Sequence, residues 1–486
     1  MNRSEALIRN MSATLLSVIL VAGCSDENDS SGVQQTEPDT KYLYTSTNSP
    51  SGNRVVAFSV ATDGLLQELG SFPTGSPGDA DEGDFDGQGA IRVIGDYLLV
   101  ANAGDVADEA GIEDGNGSIS VMKIAPQIGE LTRIDQNDDI DGIQNIDSQG
   151  IRPVSLSVRN MDGQIWVVVA NQQSNSACFD ISNATGVADC IDQFGNPISD
   201  VLSAANTGLR NIVLYRFDEG KLAFVRRLDT YAAGYGGPSQ VSFSPDGTKL
   251  AVTSWGIGHI AFPAMPNFQM ASRVYLYDVA LSSTTPELSN RRYFENPGIS
   301  GSVGFSWSSD SRFVYVSSFA LSQEQLTSNL IALDTLNTDT VFTSDSTSEP
   351  SGAGYIPSEL RPGACWTWLT PDDSRLYSVA FATNTVGVFD VEGSDLERQQ
   401  LIVRTQVPGR DTKDIYVAQN GRFAYVLGGI FSHTVSMYDI NADGRLIEKT
   451  ESPLQVQASR PNGNNVSDLE HTYLGIGGYP AGYTGF

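Results

Sequence analysis

One pattern recurs along this chain and restricts its fold more than any other feature. Residues 237–256, GPSQVSFSPDGTKLAVTSWG, read as two short strands joined by a Pro-Asp-Gly turn. The same layout returns in RPVSLSVRNMDGQIWVVVANQ (152–172), GSVGFSWSSDSRFVYVSSF (301–319), GACWTWLTPDDSRLYSVAFATN (363–384) and KDIYVAQNGRFAYVLGGI (413–430), and in shortened form in AIRVIGDYLLVANAG (90–104). Each copy is followed by a second hairpin, such as NIVLYRFDEGKLAFVRRLD (211–229) or TVSMYDINADGRLIEKTE (434–451). The unit is strand, tight turn, strand, variable loop, strand, tight turn, strand. That is one four-stranded antiparallel blade. A lone blade cannot cover both of its faces, so repeated blades of this length pack around an axis as a propeller.

The count is seven. Six blades are complete and start near residues 89, 151, 238, 300, 362 and 412. The first, KYLYTSTNSPSGNRVVAFSVATDGLLQELGSF (41–72), begins in mid-pattern and lacks an innermost strand, while the chain ends in an unassigned HTYLGIGGYPAGYTGF (471–486). We therefore expect an all-β, seven-bladed propeller over 41–486, closed by the C-terminal strand, which removes two open sheet edges.

The SPDG…L.V strand pair, the V.VYD…DG.L hairpin and the sevenfold count resemble the lactonase-type propellers built of YVTN-type repeats, a family that includes 6-phosphogluconolactonase and carboxymuconate-lactonising enzymes. The resemblance runs over nearly all of 41–486. It implies the propeller fold and, for the enzymatic members, chemistry on a lactone of a small carboxylic or sugar acid. Such members often carry histidine where a middle blade's inner strand begins; here that place reads Pro238-Ser239-Gln240. FSHTVSMYDI is similar to the family's last blade and puts His433 at a family-like position. The Gly-His…Trp-Asp signature of WD40 repeats and the C-x-x-C-H of haem attachment are both missing.

Up-down-up-down order puts the first and third turns of every blade on one face of the disc, and the second turns and inter-blade connections on the other. The first kind is short throughout. The second kind includes 102–117, 172–210 and 256–272, with 73–88 and 135–150 between blades. Length on one face alone marks that face as the one that binds.

Arg152, Arg361 and Arg410 stand where three inner strands begin and would ring the channel mouth there. An arginine holds a carboxylate or phosphate through two parallel hydrogen bonds; pairing with nearby acidic loops is the alternative. Trp255 and Trp366 could supply a stacking wall for a sugar or aromatic ring, or pack between blades, and His259 lies within a long insertion. As a general base for water, His433 would suit lactone hydrolysis. The acidic stretches EGDFDG (82–87) and NDDIDG (137–142) match the first half of a calcium loop, with Asp84 and Asp86, and Asp139 and Asp141, as ligands, though Val93 and Ser148 stand at the twelfth positions. No cofactor is required by any of this; calcium is the ion the pattern allows.

At the start, Ser12–Ala22 is an apolar run of signal-peptide length behind Arg3 and Arg9. It ends in Val21-Ala22-Gly23-Cys24, which resembles a bacterial lipobox and implies cleavage after residue 23, lipid on Cys24 and a membrane held through that lipid. Residues 24–40 are a polar tether. Ser25 after the cysteine suggests the outer membrane. A formal net charge of −29 argues against a nucleic-acid partner. Cys178 and Cys190 share one polar insertion and suit a local disulfide; Cys365, within an apolar strand, suits a buried small side chain. We expect a monomer that engages a small molecule or a protein.

Overall fold

The computed structural model describes residues 39–78, 87–104, 117–137, 142–172, 177–178, 210–231, 237–254, 258–259, 272–282, 285–295, 301–319, 329–336, 341–342, 346–347, 364–381, 383–404, 411–457 and 472–481. Their regular structure is strand. Seven sheets form a propeller within the unit 37–486.

From the axis outward, blade 1 runs Leu474–Tyr479, Tyr42–Ser46, Arg54–Val60, Leu66–Pro73. The C-terminal strand therefore does supply the missing inner strand. It pairs antiparallel with Tyr42–Ser46, Tyr42 opposite Tyr479 and Tyr44 opposite Gly477. Its glycines have a use: a Cβ on Gly478 would stand 2.0 Å from the Tyr416 hydroxyl of blade 7. The inner strands of blades 2 to 7 are Ile91–Ile94, Pro153–Met161, Pro238–Phe243, Gly301–Trp307, Ala364–Leu369 and Thr412–Val417. Blade 4 gains a short parallel strand, Val341–Phe342, on its outer edge.

The blades hold together through seven apolar clusters, one per interface. Gln164–Asn171 shows how a strand serves two of them. Its run IWVVVA is apolar without alternation because both faces of a blade are covered. Successive side chains still point opposite ways. Val167 and Val169 join the cluster against blade 2, whereas Trp166, Val168 and Ala170 join the cluster against blade 4.

The repeated short turn also has one mechanism. In blades 4, 5 and 6 a hydroxyl, from Ser244, Ser308 or Thr370, donates to the aspartate two residues on, Asp246, Asp310 or Asp372, at 2.6 Å each. The same hydroxyl accepts the N–H of the residue that opens the next strand. Gly247, Ser311 and Asp373 take the left-handed position that closes the turn.

Candidate functional site

The face with long connections surrounds the axis, so the inner strands define what a ligand would meet there. Each inner strand presents an unpaired edge to the channel, and an unpaired buried N–H or C=O is costly. In blades 3 to 7 the pairing of the inner strand slips by a residue or more near that face, which leaves further backbone groups to be satisfied. Two glutamines do this. Gln240 of blade 4 donates through Nε2 to the Phe305 carbonyl of blade 5 at 3.0 Å, and its Oε1 accepts the Phe305 N–H at 2.6 Å. Gln88, ahead of blade 2, reaches across the axis to blade 6: its Nε2 donates to the Thr367 carbonyl at 2.7 Å and its Oε1 accepts the Thr367 N–H at 3.3 Å.

Gly87 and Gln88 together fill the axis. The Gly87 carbonyl accepts the Trp366 indole N–H at 2.8 Å. The Gln88 N–H donates to Ser239 of blade 4 at 3.3 Å, and its carbonyl accepts the Ser155 hydroxyl of blade 3. A Cβ at Gly87 would lie 2.9 Å from the Val154 side chain and 3.1 Å from the Ser239 carbonyl. The axial route is closed at this level by packed, hydrogen-bonded chain.

One carboxylate lies in that network. Asp414 of blade 7 accepts Gln88 Nε2 at 3.2 Å and the Ile415 N–H at 2.9 Å. Burial pushes its carboxyl up to about 7 against the opposing pull of those donors and of Arg92. Arg92 of blade 2 donates through Nε to the Leu156 carbonyl at 2.8 Å, and burial brings its guanidinium down to about 10.

A second polar centre lies between blades 6 and 7 on the same face. Arg404 and Asp411 are both fully buried, 3.7 Å apart. Arg404 donates to Ser436 at 2.9 Å, Thr434 at 3.0 Å and Asn384 at 3.3 Å. Asp411 Oδ1 accepts the N–H groups of Ile430, Phe431 and Ser432 at 3.0, 2.7 and 3.2 Å, and its Oδ2 accepts the Ser432 hydroxyl. This carboxylate shapes the 429–433 connection, which ends in His433 at φ 49°.

Several residues expected in the site lie elsewhere. His433 is buried with no exposure, its ring edge-on to Tyr473 at 5.5 Å between centroids. That is a packed position and not the open one a base at the channel mouth needs. Trp366 is not a stacking wall: it is 1% exposed, packs between blades 6 and 7 and spends its N–H on Gly87. Arg152 does stand at the head of the blade 3 inner strand, but buried and at φ 59°, its carbonyl accepting the Gln172 N–H. Arg210, at the head of the blade 3 third strand, is likewise buried, and its guanidinium is brought down to about 10 by that burial. Trp255, Arg361, Arg410, Asp84, Asp86, Asp139, Asp141, Cys190 and Cys24 lie outside the described residues, as do the side chains of Cys178 and His259. The backbones of Cys178 and His259 are register partners in a two-stranded parallel pair linking the insertions of blades 3 and 4. Cys365 is a buried free thiol, as expected. Among the described residues no three His, Cys, Asp or Glu side chains gather as a metal site. On the short-turn face, where blades 7 and 1 meet, a cavity of about 320 Å³ is lined by residues that include Asp39, Lys41, Thr62, Asn420 and Phe423.

No protein-family model matches the sequence, and no curated protein does. Solved structures do match its fold. A periplasmic gluconolactonase from Pseudomonas aeruginosa is 16% identical, with a TM-score of 0.53 over 89% of this chain and 99% of its own. A Lactobacillus plantarum protein is 16% identical with a TM-score of 0.56, over 90% and 99%. A hypothetical selenium-binding protein from Sulfolobus tokodaii is 10% identical with a TM-score of 0.58, over 91% and 94%. The likeness is one of fold. It covers 89–91% of this chain and 94–99% of those structures.

Proposed function

We propose that this chain is a lipid-anchored, extracytoplasmic propeller that binds a ligand or protein partner through the face carrying its long connections. One observation supports this reading above the rest. Among the described residues, Gly87 and Gln88 carry hydrogen-bonded chain across the axis, which favours the connections of that face as the place where a partner engages. The lipid would sit on Cys24, in the outer membrane, and calcium at the acidic connections of Asp84 and Asp86, or Asp139 and Asp141, is part of the proposal. The chain enters the ring on the opposite face, where Lys41 donates its N–H to Tyr479.

The test is a thermal-shift screen of the soluble ring with lactones, sugar acids and calcium, paired with crosslinking of the anchored protein in cells. A ligand shift, or a crosslinked partner lost when the 173–209 connection is shortened, supports the reading. The absence of both a shift and a crosslink refutes it. Labelling with radioactive palmitate, abolished by Cys24→Ser, tests the anchor. A second reading, a lactonase for small carboxylic or sugar-acid lactones, is favoured by the whole-chain fold likeness to a periplasmic gluconolactonase. Acid release from glucono-1,5-lactone above the uncatalysed rate would establish it.

A further inference from the structure

Asp414 does more than occupy the channel. It joins the two ends of the ring. Its strand, Thr412–Val417, is the inner strand of blade 7, the last complete blade. The Ile476 backbone, on the closing strand Leu474–Tyr479, lies beside its carboxylate and favours the ionised form, and the same two strands meet where a Cβ on Gly478 would stand 2.0 Å from the Tyr416 hydroxyl. Gln88 Nε2 donates to the same carboxylate while also holding Thr367 of blade 6. Arg92 of blade 2 is the opposing charge. One carboxylate therefore touches the strand that closes the propeller and the side chain that seals its axis.

We propose that Asp414 and Gln88 form an axial latch on the closing strand, and that the protonation of Asp414 sets how firmly that strand is held. The geometry carries this: the closing strand comes from the far end of the chain, and its docking at the axis runs through Asp414. Among the described residues, the elements packed against Asp414 bring few other charges. The strands Ala364–Leu369, Phe423–Gly428 and Leu474–Tyr479 contain no carboxylate, amine, guanidinium or imidazole. Arg375, on Arg375–Ala380, lies at that strand's outer end with Asp390. On Asp414's own strand, Lys413 lies over the Trp366 ring, 5.5 Å from its centroid.

The sign follows from burial. The folded carboxyl holds its proton up to about 7, against an ordinary value of 3.8. Between these values the folded chain binds the proton that the unfolded chain has lost, so stability falls as pH rises through that window and levels off above it. One proton changes the opening equilibrium by at most about tenfold per pH unit.

Deuterium exchange of the Leu474–Tyr479 amides in the full chain, corrected for intrinsic exchange rates, reads this out from pH 5 to 9. In the wild type, protection should fall toward pH 7 and then level off. Asp414→Asn should lose that pH dependence. Gln88→Leu removes a donor that favours the carboxylate, so its levelling point should move to higher pH. A merely structural role for Gln88 would lower protection without moving that point. The proposal is overturned if Gln88→Leu levels at the wild-type pH, or if Asp414→Asn keeps the wild-type curve. Should Asp414→Asn fail to fold, the comparison of wild type with Gln88→Leu still decides.

Discussion

Replacing Asp411 by alanine tests how the long-connection face is built. The change removes four hydrogen bonds from the 430–432 segment and takes away the carboxylate nearest Arg404. Removing one partner of a buried ion pair costs about 3–5 kcal/mol. The separation of 3.7 Å, and the four hydroxyl and amide partners Arg404 keeps in Ser436, Thr434, Asn384 and Thr412, place this case near the lower end. Burial already lowers the Arg404 guanidinium from its ordinary value, the direction expected of a cation short of solvent. A loss of about 3 kcal/mol corresponds to an opening equilibrium shifted on the order of a hundredfold. Deuterium exchange of the amides of Ile430 to Thr434 would show this locally. The global midpoint would move by only about 1 °C per kcal/mol, because unfolding entropy grows with chain length. Adding Arg404→Met should recover part of the loss, since a methionine leaves no uncompensated charge. A loss within about 0.5 kcal/mol, the range of a surface substitution, would refute the reasoning. So would a double variant less stable than Asp411→Ala alone.

Two further outcomes follow from the ring. Deleting residues 471–486 removes the inner strand of blade 1 and bares the edge of Tyr42–Ser46; the expected result is association through that edge, seen by light scattering, with exchange protection lost in blades 1 and 7. Gln240→Leu leaves the Phe305 N–H and C=O without their present partners and should cost about 1–3 kcal/mol in urea unfolding, whereas an unchanged midpoint would mean that water replaces the amide there.

The blades were readable because each rests on local chemistry. A hydroxyl, an aspartate two residues later and a residue able to take positive φ make the short turn, and all three stand within six residues, as in Ser244–Lys249. Ring closure was readable by subtraction: blade 1 lacked a strand and the tail had one to give. The axis was not readable. Trp366 bonds to Gly87 and Gln88 bonds to Thr367, each across 279 positions of sequence, and nothing in the words around either residue names the other. For Trp366 the sequence left a ligand wall and packing between blades both open, and the structure gives the packing. Its place in the strand turns it into the interface with blade 7. Arg404 and Asp411 carried no motif. Their scarcity value, buried charge in an acidic chain, becomes visible only when neighbouring blades meet.

The same geometry commits the axis of this propeller to structure. Seven inner edges converge on one axis, and every backbone group left there needs a partner. Glycines let the closing strand pack closely on blades 2 and 7: a Cβ on Gly475, at φ 75°, would stand 3.0 Å from the Ile91 nitrogen and one on Gly478 2.0 Å from the Tyr416 hydroxyl. Gln88 and Gln240 spend their amides on Thr367 and Phe305. At Gln240 the commitment is direct, because both polar atoms of its amide are taken by Phe305 of the neighbouring strand. A side chain cannot hold a strand edge and a substrate with the same atoms. The polar groups that tie this ring together at its axis, Gln88 and Gln240 among them, are therefore committed to its structure.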